Sequence, residues 1–261
     1  AFCCIIYTMK ERKKYYSPVK SYDVYKRPHV FYKLLRAAIR LFFPDNEVVW
    51  KCEKPASDEA VVYVCNHTKI YAPTAFLVDK RLPQGRIWAN CYFLHFNMCW
   101  KHIKTKVINN RKPKFILYPL AFLLTPVIVL TFRAFNPIPV YHKSDNTERV
   151  TFQKAIDTIE EGKAQIIFPE RTENPVNKYV FQFNHGFPEM AKKCYKETGK
   201  IVKFYPVYCA QKLHTFVIGE PIAYNPDIDI EIQKDDICHY LEHSIQVLGD
   251  SLPAHETVIY G

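Results

Sequence analysis

Glycine is scarce in this chain, with 7 residues in 261 against 18 prolines, 18 tyrosines and 18 phenylalanines. A loop that cradles phosphate through its main chain needs closely spaced glycines, and no such loop occurs. No CxxC pair occurs either. The nine cysteines are scattered, odd in number and often inside apolar runs, so reduced thiols in a cytoplasmic compartment are expected. The short apolar start, Phe2 to Ile6, has no positive region before it, and no cleavable signal is expected; residues 1–8 carry no further argument. Internal repeats and low-complexity linkers are absent. Acidic residues are in deficit: the formal net charge is +10, which favours an anionic partner, either nucleic acid or an acidic membrane face.

What is present is an apolar, aromatic chain, 48% hydrophobic and 24% charged, which excludes wholesale disorder. Residues 1–28 read as a basic, Tyr-rich leader broken by Pro18 and Pro28. From His29 to Phe43 apolar residues recur at helical spacing, with Lys33, Arg36 and Arg40 on another side. Such a helix suits a membrane interface, or its apolar face packs on the domain. Val61 to Cys65 predicts a buried strand leading into Asn66-His67, and residues 73–82 and 87–102 read as helical. Phe115 to Phe132 carries no charge and approaches the roughly 20 residues that span a bilayer. Pro119 and Pro126 interrupt it, leaving a straight span, a bent or re-entrant element, or a buried core element open.

Ile138 to Tyr141 and Ala164 to Phe168 predict further strands, with a helix between them that stops at Gly162. A loop from Glu173 to Gly186 precedes a helix ending at Gly199; strands at Ile201–Ala210 and Thr215–Ile218 and a helix over 230–248 follow. This alternation predicts one α/β domain, residues 29–261, with a mostly parallel central sheet flanked by helices. Ligands of open α/β sheets bind beyond the carboxyl ends of the strands. Two strands end there in reactive groups, Asn66-His67 and Pro169-Glu170-Arg171-Thr172. A histidine can deprotonate an alcohol while a basic, hydroxyl-bearing turn holds an anion.

In order and spacing these segments resemble the lysophosphatidic acid acyltransferase family of glycerolipid acyltransferases. Its Asn-His-x-x-x-x-Asp motif is similar to the segment from Asn66-His67, its Ile-x-Val-x-Arg strand to Ile138-Pro-Val-Tyr-His142, its Phe-Pro-Glu-Gly-Thr-Arg to Phe168-Pro-Glu-Arg-Thr-Glu173, and its Pro-containing strand to Phe204-Tyr-Pro206-Val207. The resemblance covers about residues 29–248 and implies acyl transfer from an acyl thioester, carried by coenzyme A or acyl carrier protein, to a lysophospholipid or glycerol-phosphate hydroxyl. It implies catalytic roles for His67 and Glu170. Arg171, Thr172, His142 and Lys143 would bind the acceptor phosphate, and Asn66, Pro169 and Pro206 would support the motifs. It implies the cytoplasmic face of a phospholipid membrane, with no cofactor beyond the donor and no metal. Departures accompany the matches: Ala72 stands where the family has Asp, His142 and Glu173 where it has Arg, and Arg171 where it has Gly. They imply a divergent member with a rebuilt anion site, in which Glu170 or Asp79 must orient His67. A catalytically degenerate lipid-binding protein is the alternative.

Other patterns point elsewhere. His239-Tyr-Leu-Glu242-His243 spells an inverted zinc-protease motif, but the segment after it offers little for a third ligand. Cys91, His95, Cys99 and His102 recur near helical spacing, yet one straight helix cannot wrap four ligands around one ion, and their neighbours are apolar. The basic run Lys101 to Lys114 fits a solvated face or a headgroup collar. The aromatic residues fall in apolar periodic runs without a nucleic-acid motif, so no nucleic-acid partner is expected.

Overall fold

The structure, a computed structural model, describes residues 29–108, 113–141 and 147–258. The expected leader, His142 and Lys143 lie outside the described residues. In chain order the elements are α1 (His29–Leu41), β1 (Glu47–Trp50), β2 (Ala60–Cys65), α2 (Tyr71–Val78), β3 (Gly85–Asn90), α3 (Phe96–His102), α4 (Lys114–Phe135), β4 (Ile138–Val140), α5 (Thr147–Glu160) and β5 (Ala164–Ile167). They continue as β6 (Glu170–Pro175), β7 (Phe181–Phe183), α6 (Glu189–Thr198), β8 (Val202–Ala210), β9 (Thr215–Ile218), β10 (Ile222–Ala223) and α7 (Ile230–Asp250).

The main sheet runs in the order β1-β9-β8-β2-β5-β3-β4, with β10 beside β8. All its pairings are parallel except β8–β9 and β8–β10. The fold is therefore α/β with a mostly parallel sheet. β2 lies at its centre, and every residue of its Ala-Val-Val-Tyr-Val-Cys run is buried. Val62 and Val64 enter one apolar cluster with α5, α6 and α7; Val61, Tyr63 and Cys65 enter another with α2. Coverage of both faces is what a parallel strand demands, and each fully buried valine adds about 1.5–3 kcal/mol. Each described cysteine is free.

Three elements differ from the sequence reading. Residues 87–102 are not one helix, because 85–90 form β3 in register with β5 and β4. Ile87 packs on one side of the sheet and Trp88 on the other, a period of two that the aromatic density beyond it obscures. β1 was not expected at all, although Val48 and Val49 alternate in the same way. The segment expected as a loop contains the two-stranded β6–β7 ribbon, with irregular register between Glu170 and Pro175.

The apolar stretch forms one continuous helix of 22 residues, containing both Pro119 and Pro126. At 1.5 Å per residue it is about 33 Å long, close to the bilayer hydrocarbon thickness. Thr125, Val129 and Ala134 are buried, whereas Phe115, Ile116, Leu120, Leu123, Leu124 and Val127 are exposed. Beside it, Tyr32 of α1 meets Phe135 edge to face at 5.5 Å. α1 also exposes its apolar side: Val30, Leu34, Leu41 and Phe42 face outward. Of its basic side, Lys33 is exposed, whereas Arg36 donates to Gln84 at 2.9 Å and Arg40 to the Phe43 carbonyl at 2.8 Å.

Candidate active site at the strand ends

The carboxyl ends of β2, β5 and β8 lie side by side because the three strands are adjacent and parallel. Asn66 follows β2, and its amide is bonded on both sides to the main chain of Cys209 in β8. Oδ1 accepts from the Cys209 N–H at 2.7 Å, and Nδ2 donates to its carbonyl at 3.3 Å. This peptide-like pairing fixes the point from which His67 departs. His67 is buried, with its ring 5.3 Å from that of Phe168 in an edge-on arrangement. Beyond it, the Thr68 hydroxyl accepts the Ala72 N–H at 3.0 Å, and Lys69 turns the chain into α2 with φ 52°.

β5 delivers Phe168-Pro169 and then Glu170, which is 4% exposed. One Glu170 oxygen accepts the main-chain N–H of His67, and the other accepts that of Phe181 on β7 at 2.8 Å. Burial pushes its carboxyl up from 4.5 to about 7; the two N–H bonds oppose that rise, and the charge of Glu242 reinforces it. Both oxygens thus engage main chain, giving Glu170 a grip on the peptide that carries the imidazole.

Asp79, the other carboxylate considered as an orienter, is committed elsewhere. It accepts from the Asn46 side chain at 3.0 Å and from Arg81 Nε and Nη2 at 3.0 and 2.9 Å. Burial raises its carboxyl, but the bonds from Arg81 and Asn46 outweigh burial and hold it below the usual carboxylate range. Ala72 is fully buried in the apolar cluster with Phe76 and Val207, so the position that the resemblance gives to an aspartate is part of the core here.

Arg171 is half-buried, donating to Asn184 Oδ1 at 3.3 Å, and forms no ion pair among the described residues. A guanidinium so placed keeps donors available for an anion. Thr172 lies next to it on β6. Pro169 is buried, and its carbonyl accepts the Asn184 N–H at 2.9 Å. Pro206 pairs with Val64 in the sheet interior, and its carbonyl accepts Gly219 N–H at 3.0 Å, just past the end of β9. A central proline is tolerated there because no β9 residue requires its missing donor.

Sequence reasoning missed Phe168 as the wall beside the imidazole, Phe181 as the second peptide held by Glu170, and Glu242 as a buried neighbour. In the sequence Phe168 shows only as the first residue of a motif-like segment, and Glu242 only as part of a zinc-like pattern. Its side chain turns inward to accept the Phe183 N–H at 2.6 Å, while His239 lies edge-on to His185 at 5.8 Å. Cys91 and Cys99 fall in separate apolar clusters. Among the described residues no group of three or more His, Cys, Asp or Glu side chains is placed to hold a metal ion.

No family model matches the sequence, and no curated protein matches it. Among solved structures, the chain is similar to the crystal structure of the 1-acyl-sn-glycerophosphate acyltransferase PlsC from Thermotoga maritima. The two share 15% sequence identity at a TM-score of 0.48, over 86% of this chain and 81% of that one.

Proposed function

We propose that the protein transfers an acyl group from an acyl thioester to the hydroxyl of a lysophospholipid or glycerol-phosphate acceptor at a membrane surface. The observation that carries this reading is the union of two motif segments 103 residues apart, the Glu170 carboxylate holding the His67 peptide at adjacent strand ends. His67 acts as general base. Its imidazole takes the acceptor hydroxyl proton as the oxygen attacks the thioester carbonyl, the carbon–sulfur bond breaks, and the proton passes to the departing thiolate. Arg171 faces the acceptor's anionic group, with Thr172, His142 and Lys143 as its expected companions. Glu170 is a positioning residue, since it acts through the His67 main chain.

Two features support the lipid surface as partner. The described residues include one helix, Lys114–Phe135, long and apolar enough to cross a membrane. α1 beside it exposes Val30, Leu34 and Leu41 while Arg36 and Arg40 bond to the protein, which suits an apolar surrounding on that side. Ala72 favours a second reading, a lipid-binding protein without turnover, because its apolar setting supplies no carboxylate to the imidazole from that position.

Acyl transfer from labelled acyl-coenzyme A and acyl carrier protein to a lysophospholipid panel separates the two. Transfer that is lost in His67→Ala supports the enzyme. Transfer no greater than that of the variant, with either donor, overturns it in favour of lipid binding.

A further inference from the structure

The pattern His239-Tyr-Leu-Glu242-His243 contains one residue that neither a zinc site nor the acyl-transfer chemistry uses. Glu242 is on α7, 4% exposed, and its Oε1 accepts the Phe183 N–H at 2.6 Å. Two residues earlier on β7, the Phe181 N–H reaches Glu170 at 2.8 Å, and the other Glu170 oxygen holds the His67 N–H. Main-chain groups two apart in a strand point the same way. The same side of β7 therefore meets two buried carboxylates, one from β6 and one from α7.

We propose that Glu242 is a positioning residue of this site: it holds β7, and through β7 the carboxylate that grips His67, and its charge adds to burial in delaying that grip to higher pH. This rests on the reading of His67 as the base. Among the described residues, the titratable and charged groups around the pair are Cys65 and His67 at the end of β2, Arg171 on β6 and Cys238 on α7. Among the described residues neither carboxylate forms an ion pair, so their mutual repulsion is not cancelled by a bonded cation. Burial first, and then Glu242, raise Glu170 to about 7. Protonation turns one Glu170 oxygen into a hydroxyl, which donates and accepts only weakly, so one of its two N–H bonds is weakened. The grip is thus complete only when Glu170 is ionised, and Glu242 delays that ionisation.

Glu242→Gln keeps an acceptor for Phe183 and removes the charge. In the full chain in detergent micelles, the main-chain 15N–H signals of His67 and Phe181 are followed from about pH 5 to 9, a range set by the reference and raised carboxyl values. The expected result is a lowered midpoint, with the alkaline-rising limb of acyl transfer moving with it. An unchanged midpoint in the folded variant overturns the proposal. Glu170→Gln is the second variant, and a transition that persists in it also overturns the proposal, since another group would then be titrating. If the signals shift as expected but no acyl transfer occurs at any pH, the positioning link stands and the acyl-transfer reading falls.

Discussion

Glu170 accepts the main-chain N–H of His67, so a carboxylate from the third motif-like segment grips the peptide of the first. A bond of this kind constrains where the imidazole starts rather than how the ring is turned. It also places a titratable group one peptide from the expected base. The consequences can be measured.

Replacing Glu170 by Ala orphans two N–H groups in a site that is almost closed to water. Each orphaned group is expected to cost about 1–3 kcal/mol in urea-induced unfolding. Glu170→Gln retains an acceptor and is expected to cost less. Acyl transfer is expected to fall in both variants, and more steeply in Ala.

Stability should respond to pH through the same residue. Its carboxyl rises from 4.5 to about 7 on folding, so the native state binds the proton more tightly than the unfolded chain. The associated stabilisation is complete below pH 4.5 and is lost as pH rises through 7. The loss is on the order of 3 kcal/mol. Unfolding curves across this range should show that decline in wild type, and Glu170→Gln should flatten it. Site assembly follows the opposite trend, because the ionised carboxylate makes both N–H bonds.

Placing an aspartate at 72 is expected to harm the protein rather than complete a catalytic dyad. Ala72 has no exposed surface and sits among Tyr71, Ala75, Phe76 and Phe216. An unpaired carboxylate there is expected to cost more than about 3 kcal/mol, measured by denaturant unfolding. A stable Ala72→Asp variant with raised acyl transfer would contradict this.

The exposed side of α4 is expected to govern lipid association without supporting the fold. Leu120 and Leu124 are exposed one turn apart, so Leu120→Glu with Leu124→Glu should leave unfolding within about 0.5 kcal/mol per site of wild type. Sedimentation with phosphatidylglycerol vesicles should drop sharply in the double variant. Unchanged sedimentation would remove this helix as the lipid contact.

Some of this protein was determined by local sequence alone. The β2 run, the helix stops at Gly162 and Gly199, and the apolar length of α4 follow from residue periodicity and main-chain freedom. The strand–helix alternation carried the α/β class, and the strand runs Val61–Cys65 and Ala164–Phe168 placed His67 and Glu170 at strand ends. Other features depended on residues far apart in sequence. β1 is short and β3 is half-buried along its whole length, so their neighbours in the sheet decide that they are strands. The inward turn of the α1 arginines depends on Gln84 and the chain beyond Leu41, and the use of both Glu170 oxygens depends on β7. Glu242 showed in the sequence only as part of a metal-like spelling. Its carboxylate acquires a role through the Phe183 peptide, because a buried acceptor must find a donor and only tertiary packing brings one within reach.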